Sequence, residues 1–159
     1  MGRVRAEYRS SIRSRLLITN ALLKLIKVKD FGEITITDIV KEADINRGTF
    51  YAHFKDTSDV LRFMESESVE NIASILTGEG DVFFNTALYL KGEESLLRKL
   101  ISLDEGVIFN SLLRQALRKK GMNSFLSDGI AGAITDSLFP DGDIKAACAS
   151  IKEYCQQLK

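Results

Sequence analysis

Between Asn46 and Lys55 the chain reads Asn-Arg-Gly-Thr-Phe-Tyr-Ala-His-Phe-Lys, and its polar side chains suit recognition of a polyanion rather than bond-making. Arg47 has a planar fork that matches a guanine edge, and Thr49 offers a hydroxyl to a base or a methyl to a thymine. Gly48, lacking a side chain, lets the start of such a segment approach a duplex closely. His53 is the only histidine, so neither a metal cluster nor a catalytic set with two imidazoles can be built within one chain; no metal and no cofactor is expected. The acidic pairs Glu93-Glu94 and Asp104-Glu105 stand where helices begin and complement the helix dipole, which makes them caps and not hydrolytic dyads. Gly78 and Gly80 mark a turn, because a phosphate-binding loop needs Lys followed by Ser or Thr after its last Gly. No constellation supports an enzyme.

Those side chains need a rigid support, and the flanking sequence predicts helices. Apolar residues at Ile12, Leu16, Leu22, Leu23 and Ile26 form a helical stripe over 10–29, which Asp30, Phe31 and Gly32 interrupt. Thr35 with Asp38 three residues later is an acidic form of the capping box and opens a short helix over 36–43. Asp44, Ile45 and Asn46 then connect to a third helix over 47–53; Asp tolerates a left-handed backbone, and Asn46 can cap this third helix. Two short helices on a three-residue turn form a helix-turn-helix, the arrangement that fits a major groove. Ile39, Ala43, Ile45, Phe50 and Phe54 face inward and fix the angle, leaving Arg47, Thr49 and His53 outside.

Asp56 caps a fourth helix through Val60, Leu61, Met64, Ile72 and Leu76. Further helices are predicted near 82–90, 93–103, 105–120, 122–139 and 143–158, punctuated by Gly92, Gly121 and Pro140. The expected fold is all-α with about nine helices: a three-helix helix-turn-helix domain over 1–62 and a C-terminal helical bundle over 63–159. No period-two run reaches strand length, and no repeat is evident.

A chain of 159 residues with 45% hydrophobic content can bury a core. Net charge is zero but unevenly distributed. Residues 1–62 carry 12 Lys or Arg against 8 Asp or Glu, with five Arg in the first 15, whereas 63–159 carries 10 against 14. A basic front end on a neutral chain points to a polyanion at that end only. The apolar stretch from Leu16 to Ile26 holds Asn20 and Lys24 and lacks a cleavage site, so it reads as a core helix and not a leader. No segment reaches the roughly 20 apolar residues of a membrane span, and a soluble, cytoplasmic protein is expected. Cys148 and Cys155, two helical turns apart, are too distant for a disulfide within the chain and read as small apolar residues.

The run Thr35-Ile36-Thr37-Asp38-Ile39 through Asp44-Ile45-Asn46-Arg47-Gly48-Thr49-Phe50-Tyr51-Ala52-His53-Phe54 resembles the DNA-binding domain of the TetR family of transcriptional regulators, over about 10–61. The resemblance implies that Thr35 and Tyr51 hold DNA phosphates, and that Thr37, Arg47, Thr49 and His53 lie at or near the bases, with Asn46 and Gly48 at the helix start. Two positions depart from the family: Asp44 stands where Gly is usual, and Thr57 where a phosphate-binding Lys is usual, for which Lys55 is a substitute. The second half resembles the short C-terminal domains of small TetR-like regulators of Gram-positive bacteria, at Phe125-Leu126 and Gly129-Ile130-Ala131-Gly132-Ala133-Ile134.

The resemblance further implies a homodimeric repressor on a pseudo-palindromic operator in double-stranded DNA, released by a small-molecule effector. The last helix repeats Ile144, Cys148, Ile151, Cys155 and Leu158, an apolar seam needing cover. With Phe125, Ile130 and Ile134 it forms the expected dimer interface, internal packing being the alternative. Phe84, Tyr89, Phe109 and Asn110, with Phe83, Asn85 and Gln115 nearby, are the residues expected to line an effector pocket, and simple core is the alternative there. A second functional reading is a TetR-like coactivator or adaptor acting chiefly through a protein partner, motivated by the acidic C-terminal half and the missing lysine at Thr57.

Overall fold

The computed structural model describes residues 2–103 and 105–157, and the side chains of 9–103, 105–153, 155 and 156. Among these residues there are nine α-helices, one 3-10 turn and no strand, an all-α fold. The chain divides into two compact units, Met1–Met64 and Glu65–Lys159.

In the first unit α1 (Gly2–Leu25) buries Ile18, Ala21 and Leu22, with Ile26 just beyond its end, at the three- and four-residue spacing of one helix face. This face packs on α2 (Ile36–Glu42) and α3 (Arg47–Tyr51). The stripe expected from Ile12 onward begins later, since Ile12 and Leu16 are 48% and 57% exposed. At the usual rise α1 is about 36 Å long, and helices as short as α2 and α3 cannot cover all of it. A 3-10 turn (Phe31–Glu33) leads into α2. Asp44 then turns the chain at φ 51°, the left-handed region that a short polar side chain accepts. α4 (Thr57–Leu76) begins after Phe54, whose ring meets Phe63 edge-on at 5.5 Å, and the Arg15 guanidinium lies 5.8 Å from the Phe63 centroid. Asp56 caps α4 by accepting the Asp59 N–H at 2.7 Å.

The second unit adds α5 (Val82–Gly92), α6 (Glu94–Ser102), α7 (Val107–Lys119), α8 (Ser124–Ser137) and α9 (Ile144–Gln157). Its core includes Ile72, Leu97, Ile101, Phe109, Leu113 and Ile134. Buried Ser127, Thr135 and Ser137 donate their hydroxyls to carbonyls three or four residues back in α8 or its cap, so none is left unsatisfied. Of the acidic pairs expected as caps, Glu93 precedes α6 without a side-chain capping bond, and Glu94 instead accepts from Lys91 and Arg98. Asp104 lies outside the described residues.

Arg98 is a staple that sequence reasoning missed. Its Nε donates to Glu94 at 2.8 Å, its Nη1 to the carbonyls of Leu138 (3.0 Å) and Phe139, and its Nη2 to the Gly142 carbonyl (3.2 Å). One guanidinium thereby pins the whole α8–α9 turn.

The residues expected to face a second subunit are divided. Ile130, Ile134, Ile144, Cys148 and Ile151 are buried within this unit, where α7 packs on α8, α5 on α9, and α8 on α9. Ile144, Cys148 and Ile151 of the seam thus contribute to the core of this unit. Burial raises the Cys148 thiol to about 11, consistent with an unreactive apolar role. Cys155 is half-buried, Phe125 is exposed, and Leu158 lies outside the described residues. What α8 and α9 leave open is a shallow groove along Leu126, Gly129, Ile130, Ala133, Ser150 and Ile151, so Ile130 and Ile151 lie at its floor. A Cβ on Gly129 or Gly132 would meet nothing within 4 Å, so packing inside the unit gives no reason for glycine at either helical position.

Candidate nucleic-acid interface

Local hydrogen bonds set the geometry of α2 and α3. Thr35 Oγ1 accepts the Asp38 N–H at 3.2 Å while Asp38 Oδ2 accepts the Thr35 N–H at 2.9 Å, which completes the capping box. Lys29 joins it with an ion pair to Asp38 at 3.0 Å. Asn46 Oδ1 caps α3 by accepting the Thr49 N–H at 2.7 Å. A Cβ on Gly48 would stand 3.1 Å from that same oxygen, so glycine protects the cap as well as allowing close approach.

The Asp38 carboxyl is lowered from its ordinary 3.8 to about 2, chiefly by the Thr35 backbone N–H and then by the Lys29 ammonium. A carboxyl depressed in the folded state adds stability at pH above its unfolded value and loses it as pH falls toward the folded one. Helicity should therefore fall between pH 3.8 and about 2 more steeply in the native chain than in Asp38→Asn. Circular dichroism across that window tests this, and superimposable curves would remove the box from the account.

α3 is amphipathic across a single turn. Phe50 and Ile39 are wholly buried, and Phe54 follows them into the core. Arg47, Gly48 and Tyr51 are exposed, Thr49 and His53 half-exposed. The helix expected to reach His53 ends at Tyr51, and the His53 N–H bonds the Phe50 carbonyl in the closing turn. Arg47 Nη2 donates to Thr37 Oγ1 at 2.6 Å, which brings the exposed side chains of α2 and α3 together. Thr35 and Lys55 are also exposed, and the Lys55 N–H is held by Asp59 at 3.0 Å, a bond that lowers the Asp59 carboxyl. The Asp-x-x-Asp spacing of Asp56 and Asp59 is the sequence signal for that tie. All nine residues expected to touch DNA thus lie in one short segment, from Thr35 to Lys55, without deep burial.

Residues 18–62 match the family of bacterial regulatory proteins described as tetR. Over this segment, which holds α2 and α3, the chain is similar to the tetR family. Over 70 residues it is 34% identical to YxbF of Bacillus subtilis (strain 168), an uncharacterized HTH-type transcriptional regulator, with 43% of this chain and 18% of that protein covered. The matched segment thus spans under a fifth of that relative's length. In fold, the chain is similar to the dihydroxyacetone kinase operon activator DhaS, with a TM-score of 0.63 at 18% identity over 91% of this chain and 95% of that one.

Outside residues 18–62, the residues expected to line one effector pocket are dispersed. Phe109 is core, Asn110 Nδ2 donates to Thr135 Oγ1 at 3.1 Å, and Tyr89 Oη accepts from Asn71 at 3.3 Å, while Phe84 is exposed. Asn85 and Gln115 are exposed as well. Aromatic residues at helical spacing gave no means of telling core from surface. No helix of the described residues is long and apolar enough to cross a membrane.

Proposed function

We propose that this protein is a cytoplasmic TetR-type transcriptional repressor that sets α3 of each of two subunits into successive major grooves of a pseudo-palindromic operator, roughly 34 Å apart. The observation that carries this reading is the two-sided α3: an aromatic side locked in the core, and a polar side of Arg47, Thr49 and Tyr51 open to solvent. In this reading Thr35, Tyr51 and Lys55 hold phosphates, so affinity falls with salt. Thr37, Arg47, Thr49 and His53 face base edges, and Asn46 and Gly48 set the depth of the helix start. Unexplained glycines on the outer side of α8 support pairing with a second copy there, since a glycine inside a helix costs about 1 kcal/mol relative to alanine. A small-molecule effector of the C-terminal unit would act by favouring a subunit arrangement with a different recognition-helix spacing.

Footprinting and gel shifts on genomic fragments test the reading. Tyr51→Phe is expected to weaken all sequences alike, by several-fold, and Arg47→Ala to relax preference at one operator position by about 1–3 kcal/mol. Native-like binding by both variants would overturn the contacts assigned to α3. A chain that protects its site while sedimenting as a monomer would overturn the dimer. A shift that appears only with cell extract would mark an adaptor instead.

A further inference from the structure

Between α5 and α9, within the second unit, lies an open groove of about 380 Å3 walled by Phe83, Phe84, Ala87 and Leu88 from α5 and by Cys148 and Ala149 from α9. Part of its apolar wall is open to solvent. Phe84 and Leu88, one helical turn apart, are 65% and 64% exposed, which water penalises unless something sits on them. Three ammonium groups ring this apolar surface: Lys91, Lys145 and Lys152. Two are neutralised, Lys91 by Glu94 at 2.6 Å and Lys152 by Asp81 at 2.7 Å. Lys145 makes no ion pair among the described residues, so the rim carries one uncommitted positive charge.

We propose that this groove binds an amphiphilic monocarboxylate, a medium-chain fatty acid or an acid of like shape, with its apolar body along Phe84 and Leu88 and its carboxylate on Lys145. Charge complementarity selects the head group: one free cation matches one carboxylate, a cationic amphiphile is repelled, and a second negative charge finds both other lysines already paired. Size selects the body. The volume falls within the range of about 300–1,000 Å3 typical of small-molecule sites, whereas a stable protein partner needs about 800 Å2 from each side. This site gives the effector part of the proposed function a place and a ligand class, and it depends on that reading only for any consequence at DNA.

Calorimetric titration of the full chain with decanoate below its micellar concentration tests the proposal, with decyltrimethylammonium as the comparison and gel shifts run in parallel. Decanoate is expected to bind saturably, once per chain, and decyltrimethylammonium not to bind. Lys145→Gln should weaken decanoate about tenfold, and Leu88→Glu should abolish it. Both side chains are exposed, and an unchanged melting temperature in both variants would show the fold intact. Absent decanoate binding, or equal binding in both variants, would overturn the site. So would a Leu88→Glu chain that loses sedimenting mass, which would make the groove a contact between copies, or an acidic helical peptide that binds where decanoate does not. Gel shifts retained without decanoate binding defeat this proposal alone; decanoate binding without gel shifts defeats the DNA reading and leaves the site standing.

Discussion

Phe50→Ala is expected to destabilise the N-terminal unit by about 3–5 kcal/mol, the usual cost of emptying a buried aromatic site. Loss of operator binding should accompany it. α3 has only five residues, far fewer than the 12 to 15 or so at which an isolated helix becomes marginally stable. Its helicity must come from tertiary packing, and the Phe50 ring is the buried part of that packing. The ring lies edge-on to Tyr51 at 5.6 Å and tilted against Phe54 at 6.1 Å, so its removal loosens the exposed tyrosine and the start of α4 together. Small domains hold about 5–15 kcal/mol in total, and such a loss takes a large part of it. Urea unfolding followed by circular dichroism gives the magnitude. Tyr51→Phe is the control, since it should leave stability nearly unchanged while weakening DNA binding. A Phe50→Ala chain within about 1 kcal/mol of native would mean that α3 is braced by something other than this ring.

Gly142→Ala is expected to cost about 3 kcal/mol, at the upper end for overpacking a tight site. A Cβ there would stand 2.4 Å from the Asp136 carbonyl oxygen and 2.5 Å from both the carbonyl carbon and oxygen of Ser137. These are backbone atoms in the last turn of α8, not the tip of a flexible side chain, so relief requires the α8–α9 turn to move. That turn is held by the Gly142 N–H on the Phe139 carbonyl and by the Arg98 guanidinium on the carbonyls of Leu138, Phe139 and Gly142. Displacing it shifts α9 on α8, and with it the outer face proposed for pairing. Thermal unfolding and sedimentation velocity should therefore both change. Arg98→Met supplies the comparison: it releases the same turn without a clash, and leaves carbonyls in search of partners at about 1–3 kcal/mol. If Gly142→Ala melts like the native chain, the turn has slack that its geometry does not show.

The residue pattern alone determined what depends on neighbours within one helical turn. Thr35 with Asp38, Asn46 with Thr49, Asp56 with Asp59 and the left-handed Asp44 are bonds and backbone states among residues at most three apart, and each stands where the spacing predicts it. Hence the helix-turn-helix was legible, and so was the outward direction of Arg47. Only the tertiary structure decided which apolar residues have cover. Phe84 and Phe109 are the same residue type, each within a helix, yet one lies open and the other has no exposure at all. Ile144, Cys148 and Ile151 repeat at a spacing that demands a partner without saying whose, and α5 and α8 of the same chain supply it. Arg98 reaches carbonyls 40 and more residues away, and Gly142 is forced by α8 backbone that only the returning chain brings near. Burial is a property of what arrives from elsewhere in the chain, and periodicity records a helix face without recording what that face meets.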